Sequence, residues 1–184
     1  PMPPDGGGDF PDNFGDYRTY TNSTFINKTL IVPTYAQQYD TTALRILRES
    51  LPGYTVVGIN CNNIINQLGA LHCITKEVGT SDPLLITHQP LQNTTNTTTP
   101  YQVDAWIKHK TGIQTATLYY TIDTTQGYQS ASMNLTNVST DTWTGYIPAQ
   151  PAGTEIFYYI HAQANSGKQQ VRPITAPDGW WKFE

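Results

Sequence analysis

Residues 89–100 read QPLQNTTNTTTP, a polar Asn/Thr run bracketed by prolines, and the hydrophobic pattern differs on its two sides. Before it, short apolar runs flank one stretch of helical spacing. After it, apolar and polar residues alternate with period two, again and again, with no helical pattern. A polar, Pro-bounded stretch at which the period changes reads as a linker between domains of different class. The expected organisation is therefore α+β: a mixed portion over 1–90, a linker over 91–100, and an all-β portion over 101–184.

The mixed portion opens on PMPPDGGGDFPDNFGD, which Pro and Gly make a loop. Its carboxylates Asp5, Asp9, Asp12 and Asp16 do not follow a calcium-loop spacing, and a solvated loop is the favoured reading. Strands are expected over Thr21–Ile26 and Thr29–Val32, turned at Asn27-Lys28. Asn22, near the start of the first, has two readings: a turn or capping group, or a side chain that orients a polar substrate. Asp40 or Thr41 is the expected N-cap of a helix over Thr42–Ser50, with Ala43, Leu44, Leu47 and Leu51 on one face and Pro52-Gly53 as its stop. Tyr54–Ile59 is expected as a buried strand, 61–68 as a short helical turn, Leu71–Thr75 as strand or loop, and Pro83–Thr87 as another strand of this portion.

In the second portion, alternation at Val103, Ala105, Ile107 and at Ala116, Leu118, Tyr120, Ile122 marks half-buried strands. Further strands fit at Tyr128–Leu135, Thr142–Ile147, Glu155–Ala164 and Gln169–Ile174, separated by Gly-containing turns. Seven or so short strands without a helix imply an immunoglobulin-like sandwich. The tail around Trp180 and Trp181 is expected to close it, with both indoles packing rather than forming a sugar platform.

The charges narrow the partners. With a net charge of −4 and only 13% charged residues, the chain has no Lys/Arg run for a nucleic-acid backbone. No apolar run reaches a membrane span. A low-charge surface rich in Thr, Asn and Tyr suits a secreted or cell-surface protein. The N-x-S/T sequons at Asn22, Asn27, Asn93, Asn96, Asn134 and Asn137 would accept glycans only in a eukaryotic secretory pathway. His72, His88, His109 and His161 are scattered, and no metal-binding spacing forms, so neither metal nor organic cofactor is expected.

Two cysteines remain, Cys61 and Cys73. Their spacing permits one bridge. Cys73 lies in Gly69-Ala70-Leu71-His72-Cys73-Ile74-Thr75-Lys76, beside a histidine and near a base. It has two readings: a nucleophilic thiolate, or a small buried hydrophobe, which is the commoner fate of a free cysteine. Taken alone, the stretch favours the second.

The order of several motifs changes that weighting. Tyr20-Thr21-Asn22-Ser23, Val32-Pro33-Thr34-Tyr35, Asp40-Thr41-Thr42-Ala43-Leu44 and Gly69-Ala70-Leu71-His72-Cys73-Ile74-Thr75 occur in the order and spacing of the guanidine-modifying deiminases. The resemblance spans roughly 1–90. It is greatest to the bacterial, Porphyromonas-type peptidylarginine deiminases, with agmatine deiminases as relatives. It implies the last blade of a five-bladed α/β propeller of the pentein type, followed here by the immunoglobulin-like domain of the bacterial branch. It implies Cys73 as the nucleophile that hydrolyses a peptide or protein arginine to citrulline through a thiouronium intermediate. Asn22 is carried over as a pocket residue. The family's catalytic histidine and guanidinium-gripping carboxylates sit in earlier blades, so these 184 residues alone are expected to be inactive and to need an N-terminal chain carrying those blades. Two alternatives stay open: a deiminase of agmatine or free arginine, and a non-catalytic adhesion or carbohydrate-binding protein.

Overall fold

The computed structural model describes residues 18–67 and 69–184. The carboxylates at Asp5, Asp9, Asp12 and Asp16 lie outside the described residues. The chain divides into two compact units, Pro1–Gly79 and Thr80–Glu184.

In the first unit, β1 (Thr24–Ile26) and β2 (Thr29–Thr34) form an antiparallel hairpin, and β2 pairs in parallel with β3 (Thr55–Asn60). Asn27 takes φ 52° in the hairpin turn, a left-handed conformation that asparagine tolerates better than most residues. The parallel pair requires a crossover, supplied by α1 (Gln37–Ser50). Leu44, Leu47 and Leu51 of that crossover pack on Leu30, Val32 and Val56. The helix starts earlier than its sequence suggests. Neither Asp40 nor Thr41 caps it: Ala36 holds the N-cap position without a side-chain bond. Asp40 is engaged elsewhere, accepting the Tyr35 N–H at 3.0 Å and the Tyr20 hydroxyl at 2.8 Å. The strand expected to be buried throughout, Tyr54–Ile59, is covered only at Val56, while Val57 and Ile59 are exposed. A 3-10 turn at Ile65–Gln67 and one helical turn, α2 (Leu71–Ile74), complete the unit.

The second unit is one eight-stranded sheet. Its strands are β4 (Leu85–His88), β5 (Tyr101–Lys108), β6 (Ile113–Thr121), β7 (Gln129–Asn137), β8 (Thr142–Ile147), β9 (Ile156–Ala164), β10 (Gln169–Arg172) and β11 (Trp181–Phe183). The order is β10-β9-β6-β7-β8-β5-β4, with β11 also on β9. The sheet bends into a near-barrel, since one core cluster takes Ile86 from β4, Val103 and Ile107 from β5, Leu118 from β6, Ile160 from β9 and Phe183 from β11. Period-two burial is clearest in β9, whose Ile156, Tyr158, Ile160, Ala162 and Ala164 all point inward. Gly145 lies where an added Cβ would meet Met133 at 2.9 Å, so the inner layer closes over a missing side chain.

Two sequence expectations change here. Pro83–Thr87 was assigned to the first portion, but Leu85–His88 pairs with β5 in the second unit. The Asn/Thr run is a loop of that unit, between β4 and β5, rather than a linker. Leu91 N–H donates to the Tyr158 hydroxyl at 2.8 Å, Thr94 N–H to the Glu184 carbonyl at 2.7 Å, and Glu184 N–H to Asn93 Oδ1 at 3.1 Å. Both indoles pack as expected, Trp180 edge-on to Phe157 and Trp181 against His88 and Tyr158.

His88 is the hub of this packing. Its Nδ1 lies 2.7 Å from the Asp104 carbonyl, which can only accept, so Nδ1 carries the proton. Nε2 then accepts from the Tyr158 hydroxyl at 2.9 Å. Burial lowers the His88 pKa against the opposing pull of Asp104, and burial raises Tyr158 to about 12. Elsewhere, Asp82 Oδ1 lies 2.9 Å from His109 Nε2 and 3.1 Å from Lys110 Nζ. The His109 contact lacks hydrogen-bond alignment. Lys110, opposed in part by desolvation, holds the Asp82 carboxyl below its usual range. Lys168 Nζ donates to the Asp82 carbonyl.

Candidate functional site

The sequence separates Asn22 from Cys73 by fifty-one positions, and the first unit brings them together. The segment before β1 is held from two sides. The Tyr20 hydroxyl donates to Asp40, and the Tyr35 hydroxyl donates to the Thr19 carbonyl at 3.2 Å. Tyr35 is in turn fixed by Asn62, whose Nδ2 donates to its carbonyl at 2.7 Å. Burial, reinforced by the Asp40 carboxylate, raises the Tyr20 phenol well above its ordinary value, so it stays a donor throughout the physiological range.

Asn22, placed by this frame, organises the turn that carries Cys73. Its Oδ1 accepts the backbone N–H groups of Ala70, His72 and Cys73 at 3.2, 2.9 and 3.3 Å. Its backbone carbonyl takes a second, longer bond from His72 N–H at 3.2 Å. One carboxamide oxygen thus gathers N–H groups at the start of α2 that an isolated single turn leaves without partners. This explains a helical turn in a stretch whose Ile74 and Thr75 suggested extended structure. The other end of the carboxamide faces the thiol: Asn22 Nδ2 donates to Cys73 Sγ at 3.0 Å.

Cys73 is exposed and free, and Cys61 is free and buried. The bridge that the spacing permitted is absent. The buried-hydrophobe role belongs to Cys61, packed with Tyr35, Ile65 and Ala70, and burial pushes its thiol up. Gly69 makes room for the exposed thiol. A Cβ built there would lie 2.8 Å from both Cβ and Sγ of Cys73, so every other residue at 69 would displace the sulfur. His72 does not sit in a strand opposite Cys73. Adjacent residues of one helical turn diverge by about 100° around its axis, so the two side chains leave the turn in different directions.

Sequence reasoning missed the supports. Thr75 Oγ1 donates to the His72 carbonyl at 3.1 Å, and Thr24 Oγ1 lies 3.2 Å from Thr75 Oγ1. Asp40, read as a helix cap, is a strut for Tyr20 and Tyr35. Its nearness to a run of helical spacing hid that role. The described residues hold no group of three or more His, Cys, Asp or Glu able to bind a metal ion. No helix among them is long and apolar enough to cross a membrane.

The site is thus a solvent-facing, unbridged thiol with an amide donor aimed at it, over a glycine that leaves it space. Residues 9–78 match the model of the Porphyromonas-type peptidyl-arginine deiminase family. Curated relatives agree. Three proteins, each described as "Putative agmatine deiminase", are 35% identical over 72 residues (Lactococcus lactis), 33% over 60 (Marinomonas sp.) and 32% over 60 (Yersinia pseudotuberculosis). The matches cover 38%, 33% and 33% of this chain, and 20%, 16% and 16% of the relatives. The chain therefore spans a fifth or less of the length of the relatives it matches. Over residues 9–78 it is similar to the guanidine-modifying deiminases.

Proposed function

We propose that this chain supplies the attacking sulfur of a protein-arginine deiminase, with Cys73 as nucleophile and Asn22 as the pocket residue that holds it. The observation that carries this reading is the 3.0 Å contact from Asn22 Nδ2 to an exposed, unbridged Cys73 Sγ. A guanidinium carbon is a poor electrophile because its charge is delocalised. The thiolate forms a C–S bond to it, and the tetrahedral adduct expels ammonia as the C–N bond breaks and the nitrogen takes a proton. Water then adds to the thiouronium carbon, the C–S bond breaks, and the ureido product leaves with the thiol restored. The Asn22 N–H donates to the sulfur throughout. The contact is stronger while the sulfur is negative, because a charged acceptor strengthens a hydrogen bond.

The acid that protonates ammonia and the carboxylates that grip the guanidinium belong, on this reading, to other propeller blades. The first unit is then the last blade and the second an immunoglobulin-like domain of the bacterial branch. The 184 residues alone are inactive, and an N-terminal chain completes the site in a secreted or cell-surface enzyme. Outward-facing Phe25, Ile46, Val57 and Ile59 on so small a unit support a packed neighbour.

The test is Cys73→Ala in the intact enzyme, with citrulline formation assayed on an arginine peptide. A loss on the order of 10³-fold or more is expected, the scale on which nucleophile removal acts. Retention of most activity overturns the assignment. The curated relatives favour a second reading, a deiminase of agmatine or free arginine. Comparing kcat/KM for agmatine with that for the peptide separates the two. An intact-mass measurement of the purified native protein reveals whether a second chain accompanies this one.

A further inference from the structure

We propose that Thr24 and Thr75 are positioning residues for the Cys73 turn, acting as a two-hydroxyl brace between the sheet and the backbone that carries the sulfur. The inference rests on the reading of Cys73 as nucleophile. The turn α2 has only four residues, and Asn22 holds its N-terminal side. Its C-terminal side needs a separate restraint, because the last carbonyls of a helix have no partner within it. The His72 carbonyl is such a group. It accepts the Thr75 N–H at 3.3 Å and the Thr75 hydroxyl at 3.1 Å.

A hydroxyl has one proton to give. The Thr75 proton is directed at the His72 carbonyl, so the 3.2 Å contact to Thr24 is made by the Thr24 proton on the Thr75 oxygen. The direction of the chain is thereby settled: Thr24 O–H to Thr75 O–H to His72 C=O. Its anchor is rigid. Thr24 is buried and opens β1, where it pairs with Ile31 of β2. The brace ends at His72, whose peptide continues directly into Cys73. Asn22 and Thr24 project from the same short segment, two residues apart, and grip opposite ends of the turn. The sulfur is thus held by two supports from one strand start, one at each end of the turn.

The test uses the intact enzyme and the variants Thr75→Val, Thr75→Ser, Thr24→Val and Cys73→Ala. Valine keeps the volume and removes the hydroxyl. Thr75→Val is expected to lower kcat by about 10- to 100-fold with KM within about twofold, the scale of a small misplacement of a reacting group. Thr75→Ser restores kcat to within about threefold, because it returns the hydroxyl. Thr24→Val, which spares the Thr75 to His72 bond, loses about three- to tenfold in kcat. Should Thr75→Val fail to fold, Thr24→Val decides the matter: a kcat equal to wild type overturns the brace. A kcat unchanged in both valine variants also overturns it, provided that Cys73→Ala is inactive. If Cys73→Ala is active, the assignment of the nucleophile has failed instead. A merely structural role predicts lower thermal stability with kcat unchanged in the folded fraction, and that result equally refutes the proposal.

Discussion

The two units bury their apolar residues in different ways. In the second, a single cluster runs from Leu84 to Phe183 and is fed by both ends of the folded sheet. In the first, the described residues form two small clusters, one around Leu30, Val32 and Val56 and one around Tyr35, Cys61, Ile65 and Ala70. None of the residues of α1 is fully buried. The unit with the deep core carries no reactive group that the site uses, and the unit with the shallow core carries the thiol. Placement of the sulfur rests on the hydrogen bonds of Asn22 and Thr75 as well as on the packing of Ala70 and Leu71 in the small second cluster. Directional bonds fix a polar atom more narrowly than apolar contacts do, but each contributes only about 0.5–1.5 kcal/mol net.

The contrast predicts its largest effect in the second unit. Leu118 is completely buried beneath Gly145. Leu118→Ala should cost about 2–5 kcal/mol, because the core around it is too well filled to collapse. Thermal or denaturant melts of the 184-residue chain measure the loss. Hydrogen–deuterium exchange should place it in residues 80–184 and leave residues 18–79 unchanged. A uniform loss of protection across both units would show that they unfold as one and would break the comparison.

The next effect belongs to the first unit and should be local. Asn22→Ala removes the shared acceptor of the Ala70, His72 and Cys73 amides. The His72 and Cys73 donors are exposed and can turn to water, so the cost comes chiefly from the part-buried Ala70 N–H, and leaving such a donor without a partner costs about 1–3 kcal/mol. Faster exchange should be confined to 69–75, with the melting of the second unit unaltered. If the turn keeps its protection without Asn22, packing holds it after all, and the contrast between the units weakens.

How much of this was legible in the chain depended on whether the signal was local. Alternation in β5 and β9 is a property of consecutive residues, and it placed those strands correctly. The partner of Leu85–His88 is not a local property, so an apolar run next to the first portion was assigned to it although it pairs with β5. Asn/Thr composition marks irregular backbone but cannot separate an inter-domain linker from a loop that is tied down, as Asn93 and Thr94 are at Glu184. The start of α1 was misplaced because Asp40 satisfies Tyr35 and Tyr20 rather than a helix end. At the site, Cys73 and Asn22 were joined only by resemblance to a family. No spacing rule connects a strand start to a single turn fifty-one residues later. Thr24 and Thr75 were invisible for the same reason.

A smaller effect separates the units by pH. His88 is held neutral by burial, and its folded pKa is lowered. The unfolded chain, with histidine near 6.5, therefore binds protons over a range where the folded second unit does not. Stability of that unit should be constant above this range and fall as pH drops below about 6.5 toward the folded value. His88→Gln should flatten the slope between pH 5 and 7 in denaturant melts, at the cost of some stability at neutral pH. The first unit, followed by exchange at the Cys73 turn, should show no matching change. A slope that survives His88→Gln would assign the acid sensitivity to another group.

The smallest expected effect tests the shallow core directly. Ile46 sits on α1 and lines an apolar groove of about 580 Å³ with Tyr20, Phe25, Tyr39 and Leu47, and it remains 49% exposed. A side chain that half faces water gives up little on replacement, so Ile46→Gln should change the stability of the chain by less than about 1 kcal/mol. The same kind of change at Leu118 would be severe. The helix itself should tolerate glutamine, whose helix propensity is as good as that of isoleucine or better. A loss above about 2 kcal/mol would mean that the groove is closed in solution and that Ile46 is a core residue. The first unit would then bury its apolar residues as the second does, and the difference between the two would be one of size rather than of kind.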